Sequence, residues 1–350
     1  MRFRGRVRRP GVRLLVATSI VALASPAVSG ASTAIPRRGV DYAAYKGLPA
    51  VYKVMTWIRA GETTAVVPAN LIPKLAAEGA GTFGSCSATS EPTVCRFGNL
   101  RAKTKMVIVG DSFAGEWVPA LNLLGKKDNF EVVVYARPDC NIASAVVRAF
   151  SGSVDPRCAP FRAQAISAIN TMKPQPSLVV ISEARYWTWP NGRRVTDLQW
   201  ARAIRTTLAR IRTAQKEVLF GEALASHAPA QCLAANPTTA TACADPVGKD
   251  AYSAAQFGVP GIVAGACPVG ATVLMCGTTC PLIADDTLIH SDSSHVDQDF
   301  SALVSGALGE LLGCGAFSSV SDVVTTRLLG TSNAAKKASC ARLLQGAGWP

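Results

Sequence analysis

Two short runs, Val107-Ile108-Val109 and Val132-Val133-Val134, are apolar at every position rather than at alternate ones. A strand with one wet face alternates apolar and polar side chains, so a run with no polar face has to be buried on both sides. Further strand-like runs at 178–182, 217–222 and 259–264 alternate with helical periodicities near 113–124, 159–172, 197–215, 247–257 and 297–312. Strand and helix in alternation predict an α/β fold, a three-layer α/β/α sandwich around a mainly parallel five-stranded sheet.

The first strand runs directly into Gly110-Asp111-Ser112, and a helix-like segment opens at Phe113. The C-terminal edge of such a sheet is where α/β proteins do chemistry. Ser112 there stands near a helix start, whose backbone N–H groups can hold an oxyanion. Taken alone, the tripeptide is equally the composition of an ordinary strand-to-helix turn. Asp111 reads as shaping that turn through backbone hydrogen bonds.

Late in the chain, His290-Ser291-Asp292-Ser293-Ser294-His295-Val296 precedes an apolar-periodic stretch from Phe300 to Leu311. Only three histidines are present, His227, His290 and His295, so a catalytic imidazole has few candidates. An Asp-x-x-His loop lets the carboxylate bond one imidazole nitrogen while the other faces a nucleophile. Alternatively, Asp292 caps the helix that follows. His290 reads as loop structure, and His227 has no assigned role.

Gly110-Asp111-Ser112 early and Asp292-x-x-His295 late resemble the SGNH (GDSL-type) hydrolase superfamily. The segments Arg137-Pro138-Asp139-Cys140-Asn141, Cys158-Ala159-Pro160-Phe161-Arg162, Gln231-Cys232-Leu233-Ala234 and Cys276-Gly277-Thr278-Thr279-Cys280-Pro281 are similar to one branch. That branch is the extracytoplasmic SGNH domain of family-3 membrane acyltransferases, which O-acetylate bacterial surface glycans. The resemblance covers roughly residues 83 to 312. It implies a flavodoxin-like sheet and a triad of Ser112, His295 and Asp292, with no cofactor and no metal. Two departures stand out. The superfamily's Gly-x-Asn-Asp oxyanion motif is replaced by Ser182-Glu183-Ala184-Arg185, and no multi-span membrane region stands ahead of the domain. The acetyl donor is therefore expected to be a separate membrane acyltransferase.

Arg185 stands close to the expected oxyanion donor and either stabilises developing charge, binds an anionic acceptor, or pairs with Glu183 or Asp197. The Ser112 N–H and the loop at Asn141 are further oxyanion candidates. Trp117, Tyr186 and Trp187 offer aromatic faces suited to sugar rings, or else pack in the core.

The basic start Met1-Arg2-Phe3-Arg4 and the apolar stretch 14–24 read as a secretory signal ending near residue 31, or as an uncleaved anchor. Residues 1 to 31 hold six arginines and no acid, so the formal charge falls from +13 for the chain to +7 beyond them. That excess suits anionic glycans or lipid headgroups. With no aromatic-basic motif, nucleic acid is not an expected partner. Eleven cysteines behind a secretion signal read as disulfides. Short loops and the resemblance together pair Cys86 with Cys95, Cys140 with Cys158, Cys232 with Cys243, Cys276 with Cys280, and Cys314 with Cys340, leaving Cys267 over. The expected organisation is a signal at 1–31, a helical extension at 32–82, a catalytic domain at 83–312 and a helical tail at 313–350. The expected activity is O-acetyl transfer to, or acetyl-ester hydrolysis from, cell-envelope carbohydrate. A non-catalytic glycan-binding domain partnering a membrane acyltransferase is the alternative.

Overall fold

The computed structural model describes residues 45, 47–77, 94–148, 152–184, 188–212, 216–220, 228–247 and 266–313. The chain divides into Met1–Arg37 and Arg38–Pro350, and every described residue belongs to the second unit. Helix α1 (Pro49–Gly61) precedes strands β1 (Val94–Gly98) and β2 (Lys105–Gly110), then helices α2 (Ser112–Gly115) and α3 (Val118–Lys127). Next come β3 (Glu131–Ala136), α4 (Cys158–Thr171), β4 (Leu178–Ser182), α5 (Asp197–Arg210), β5 (Lys216–Phe220) and α6 (Pro229–Ala235). Strand β6 (Cys267–Gly270) and helices α7 (Gln298–Leu303) and α8 (Ser305–Gly313) complete the order.

The main sheet has six strands in the order β1-β3-β2-β4-β5-β6. All neighbours are parallel except β1, which runs antiparallel along the edge of β3. Among the parallel strands this is the flavodoxin-like order, with the switch point between β2 and β4. Val107, Ile108 and Val109 on β2 and Val179, Val180 and Ile181 on β4 are completely buried. Such strands need cover on both sides. On one face Met106, Ile108, Val132, Val134 and Val180 meet α1, α3, α7 and α8; on the other, Val107, Val109, Val133 and Ile181 meet α4 and α5. Residues Val51, Val54, Met55 and Ile58 of α1 belong to the first of these cores, so this part of the expected extension packs directly on the sheet.

Several expected elements shift. The helix expected at 113–124 is two pieces, α2 and α3. Proline within the first two positions of α3 supplies no N–H for the preceding turn, which favours a fresh start. The edge strand β1 was not foreseen, because its five residues alternate between exposed and half-buried without a sustained apolar run. Among the described residues the fifth parallel strand is β6. Its sequence, Cys267-Pro268-Val269-Gly270, carries a weak strand signal, and proline is tolerated because β6 lies at the sheet edge. Residues 259–264, the helix expected at 247–257, the expected signal at 1–31 and the tail beyond Gly313 lie outside the described residues.

The bridges Cys140–Cys158, Cys232–Cys243 and Cys276–Cys280 form as expected. Cys95 is also disulfide-bonded, while Cys86, Cys314 and Cys340 lie outside the described residues. No helix among the described residues is long and apolar enough to cross a membrane.

Glu217 on β5 is buried, and neither carboxylate oxygen has a hydrogen-bond partner among the described residues. Burial therefore holds its carboxyl well above the ordinary value of 4.5. The folded chain keeps a proton that the unfolded chain releases, so this group's contribution to stability is full below pH 4.5 and is lost as pH rises toward the folded value. Glu217→Gln is expected to be more stable than wild type at pH 8, by roughly 1–3 kcal/mol, with the difference shrinking toward pH 4. Urea denaturation of both proteins at pH 4, 6 and 8 checks the sign and the trend.

Candidate active site

Strand β2 delivers Ser112 to the switch point. Gly110 ends the strand so close to β4 that a Cβ there would lie 1.6 Å from the Ser182 carbonyl oxygen, which leaves glycine as the residue that fits. Asp111 caps the one-turn α2: its carboxylate accepts from the Phe113 N–H at 2.9 Å and, across the switch point, from the Ala184 N–H at 2.8 Å. The Ser182 hydroxyl donates to the Phe113 carbonyl at 3.1 Å. The turn that carries Ser112 is thus fastened to the end of β4 by two hydrogen bonds and one close backbone approach.

Asp292 and His295 form a closed loop. One Asp292 oxygen accepts from the Ser294 N–H at 2.7 Å and the His295 N–H at 2.8 Å, while the other lies 2.8 Å from His295 Nδ1. Burial works against the Asp292 charge, but the imidazole hydrogen bond, the imidazole charge and the backbone N–H groups outweigh it and hold the carboxyl well below the usual carboxylate range. Asp292 is not the cap of α7. That position belongs to Asp297, which accepts from the Asp299 N–H at 2.8 Å and the Phe300 N–H at 3.4 Å. His290 is buried behind the loop, where desolvation lowers its pKa to about 4.

The loop meets the Ser112 turn at two points. The His295 ring lies 5.1 Å, centroid to centroid, from the ring of Phe113, the residue after Ser112. The Val296 N–H donates at 3.0 Å to the carboxylate of buried Glu116, four residues beyond Ser112. Glu116 went unremarked in the sequence, where nothing marks a glutamate on a short turn as an acceptor for a backbone N–H 180 residues away.

Glu183, read from sequence only as a partner for Arg185, is a brace. Its carboxylate accepts from the Ile142 and Ala143 N–H groups and so holds the loop that follows β3. Burial raises its carboxyl well above the ordinary value, helped by the neighbouring Asp111 charge and opposed by these N–H groups and Arg162. Burial likewise raises Asp111, to about 7, against the Ala184 and Phe113 N–H groups and His295. Two buried carboxyls this close do not both ionise readily, so the site carries less negative charge than its acids suggest.

The Asn141 side chain is not an oxyanion donor in this arrangement. Its amide donates to the Ala143 carbonyl at 2.7 Å and the Ala145 carbonyl at 3.2 Å, bracing its own loop. Trp117 is 2 % exposed within the core under α3, so it does not face a substrate. Arg185, Tyr186, Trp187 and His227 lie outside the described residues. One grouping of metal-type ligands occurs among the described residues, Cys140, Asp155 and Cys158, and its two thiols are joined in a disulfide.

The Glu116 contact is testable apart from any activity. Glu116→Ala is expected to speed exchange of the Val296 amide hydrogen by about tenfold or more, as loss of a hydrogen bond worth on the order of 1.5–3 kcal/mol implies. Glu116→Gln keeps an acceptor oxygen and is expected to retain most of the protection.

Residues 83–310 match the family described as "SGNH domain (fused to AT3 domains)". No curated protein sequence matches the chain. A solved structure, the periplasmic domain of the lipopolysaccharide acetyltransferase of Salmonella ser. Paratyphi A, aligns at 13 % identity over 60 % of this chain and 84 % of that one, with a TM-score of 0.49. The family match spans most of the chain, including the nucleophile turn and the Asp-x-x-His loop: the chain belongs to the SGNH family.

Proposed function

We propose that this chain is a secreted serine-nucleophile acyl-ester enzyme that adds acetyl groups to, or removes them from, cell-envelope carbohydrate. The observation that carries this reading is the docking of the Asp292–His295 loop on the nucleophile turn, through the Val296 N–H to Glu116 and the His295 ring against Phe113. Membership of a family described by its fusion to acyltransferase domains supports acyl chemistry and a membrane acyltransferase as the acetyl donor. The basic, then apolar, N-terminus supports export, with the signal ending near residue 31, the catalytic domain at 83–312 and a helical tail after it.

His295, oriented through Nδ1 by Asp292, takes the Ser112 proton as Oγ attacks the acyl carbonyl carbon. The negative charge that develops on the carbonyl oxygen is met by the backbone N–H groups of Ser112 and Asn141, neither of which has a hydrogen-bond acceptor among the described residues. Arg185 assists there. Collapse of the tetrahedral intermediate expels the alcohol, which receives the proton from His295, and leaves the acyl group on Ser112. Water or a sugar hydroxyl then attacks the acyl-enzyme by the same steps in reverse. The aromatic side chains of Tyr186 and Trp187 suit contacts with the sugar rings of the acceptor.

Hydrolysis of a small acetyl ester by the purified protein tests the reading. Ser112→Ala is expected to lose about a thousandfold or more in turnover, and Asp292→Asn roughly a hundredfold to ten-thousandfold, with the fold intact by circular dichroism. A wild-type protein that neither hydrolyses acetyl esters nor transfers acetyl to a glycan overturns it, and glycan binding that survives Ser112→Ala then marks a binding domain.

A further inference from the structure

Charge is sorted unevenly along this fold. Residues 158 to 212, which supply α4 and α5, contain nine Lys and Arg against Glu183 and Asp197, and Glu183 is buried. Residues 266 to 313 contain six Asp and Glu and no Lys or Arg. On and beside α5, Arg193, Arg202, Arg205, Arg210 and Arg212 are exposed, and none forms a salt bridge among the described residues. Arg210 repels even the buried Arg162 beneath the layer. Such self-repulsion costs stability unless a counter-charge is supplied from outside the chain.

This face is continuous with the proposed active site. Helix α5 packs on the loop after β3 that carries Asn141: the Ser144 N–H donates to the Ala203 carbonyl at 3.2 Å, and the Thr207 hydroxyl donates to the Ile142 carbonyl at 2.9 Å. Arg202 and Arg205 flank those contacts in sequence. Arg193 lies in the segment after β4, whose Thr188 bridges Arg148 of the same loop. From Arg202 to Arg210 the arginines run along α5 for about 12 Å at 1.5 Å per residue. The outward positions of the neighbouring α4, Ala159, Ala163, Gln164 and Ser167, are small or uncharged and leave the guanidinium groups accessible.

We propose that the α5 face is a track for an anionic polysaccharide, and that the acceptor or ester substrate of Ser112 is a glycan bearing carboxylate or phosphate groups. The proposal rests on the acyl-ester reading for its link to catalysis, while the track itself is defined by binding. Planar guanidinium forks suit carboxylate and phosphate alike. A polymer gripped at several points along α5 enters the site between the loops that follow β3 and β4.

The test is binding of the full chain to polygalacturonate, which carries carboxylates, to polyribitol phosphate, which carries phosphates, and to neutral dextran, each at 50 and 500 mM salt. The variants are Arg202→Gln/Arg205→Gln/Arg210→Gln and Lys53→Gln/Lys126→Gln/Lys127→Gln. The second set removes the same charge from exposed positions on α1 and α3, across the sheet. The proposal expects binding to one or both anionic polymers, weakened by the higher salt, and no binding to dextran. It expects the arginine variant to lose about tenfold or more in affinity, the lysine variant less than about twofold, and neither to melt below the wild type, the arginine variant melting at or above it as the self-repulsion is relieved. Equal losses in the two variants, or no preference for the anionic polymers over dextran, overturn it. Wild-type turnover of a small neutral acetyl ester is measured alongside: its failure sinks the acyl-ester reading and leaves the binding result to decide the track.

Discussion

The burial of β2 between β3 and β4, under helices on both faces, is the constraint on which the rest of the molecule depends. Because Val107, Ile108 and Val109 have no exposed side, β2 must occupy the centre of the sheet, and the turn at its end must emerge at the switch point. At a switch point of this kind the connections from the neighbouring strands leave toward opposite faces of the sheet. Ser112 is therefore presented by the packing of the sheet, while Gly110 permits the close approach of β4 that keeps the turn tight.

Carboxylates then do the work of joining loops. Asp111 ties the nucleophile turn to β4, Glu183 ties β4 to the loop after β3, Glu116 ties the turn to Val296, and Asp292 closes the histidine loop on itself. Asp111, Glu116 and Glu183 are buried, and each accepts a backbone N–H that a buried loop cannot leave unpaired, a need that offsets the cost of burying an acid, whereas Asp292 is only half-buried. Where acceptance is incomplete, burial raises the acid's pKa further. Glu183 uses one oxygen for two N–H groups, and its other oxygen has no partner. The Cys140–Cys158 bridge fastens the same loop to the start of α4, so the segment beside Ser112 is held covalently as well as by hydrogen bonds.

Much of this was legible in the chain itself. Unbroken valine and isoleucine runs have a single solution in water, burial on both faces, and so the parallel core strands, the covering helices and the turn at Gly110 could all be read in advance. The edge strand β1 and the short β6 could not, because strands at a sheet margin need neither strong apolar runs nor proline-free sequence. The spacing of Asp292 and His295 is local, and three residues suffice to close the hydrogen bond that the structure contains. Asn141 and Trp117 looked like ligands by residue type. Whether an amide or an indole faces solvent or its own core depends on neighbours far off in sequence, and both turn inward.

The fold class, the tight turn that carries Ser112 and the internal closure of the Asp-x-x-His loop were all readable from the chain, because each is set by side-chain periodicity or by contacts within a few residues. Only the tertiary structure decided that Glu116 and Glu183 anchor loops, that Asp297 rather than Asp292 caps α7, and that the basic residues gather on the α5 layer. Those outcomes depend on which backbone N–H groups are left without partners once the sheet has formed, and on which helix covers which face. Neither is written in local spacing, since both arise from burial shared among segments as much as 180 residues apart.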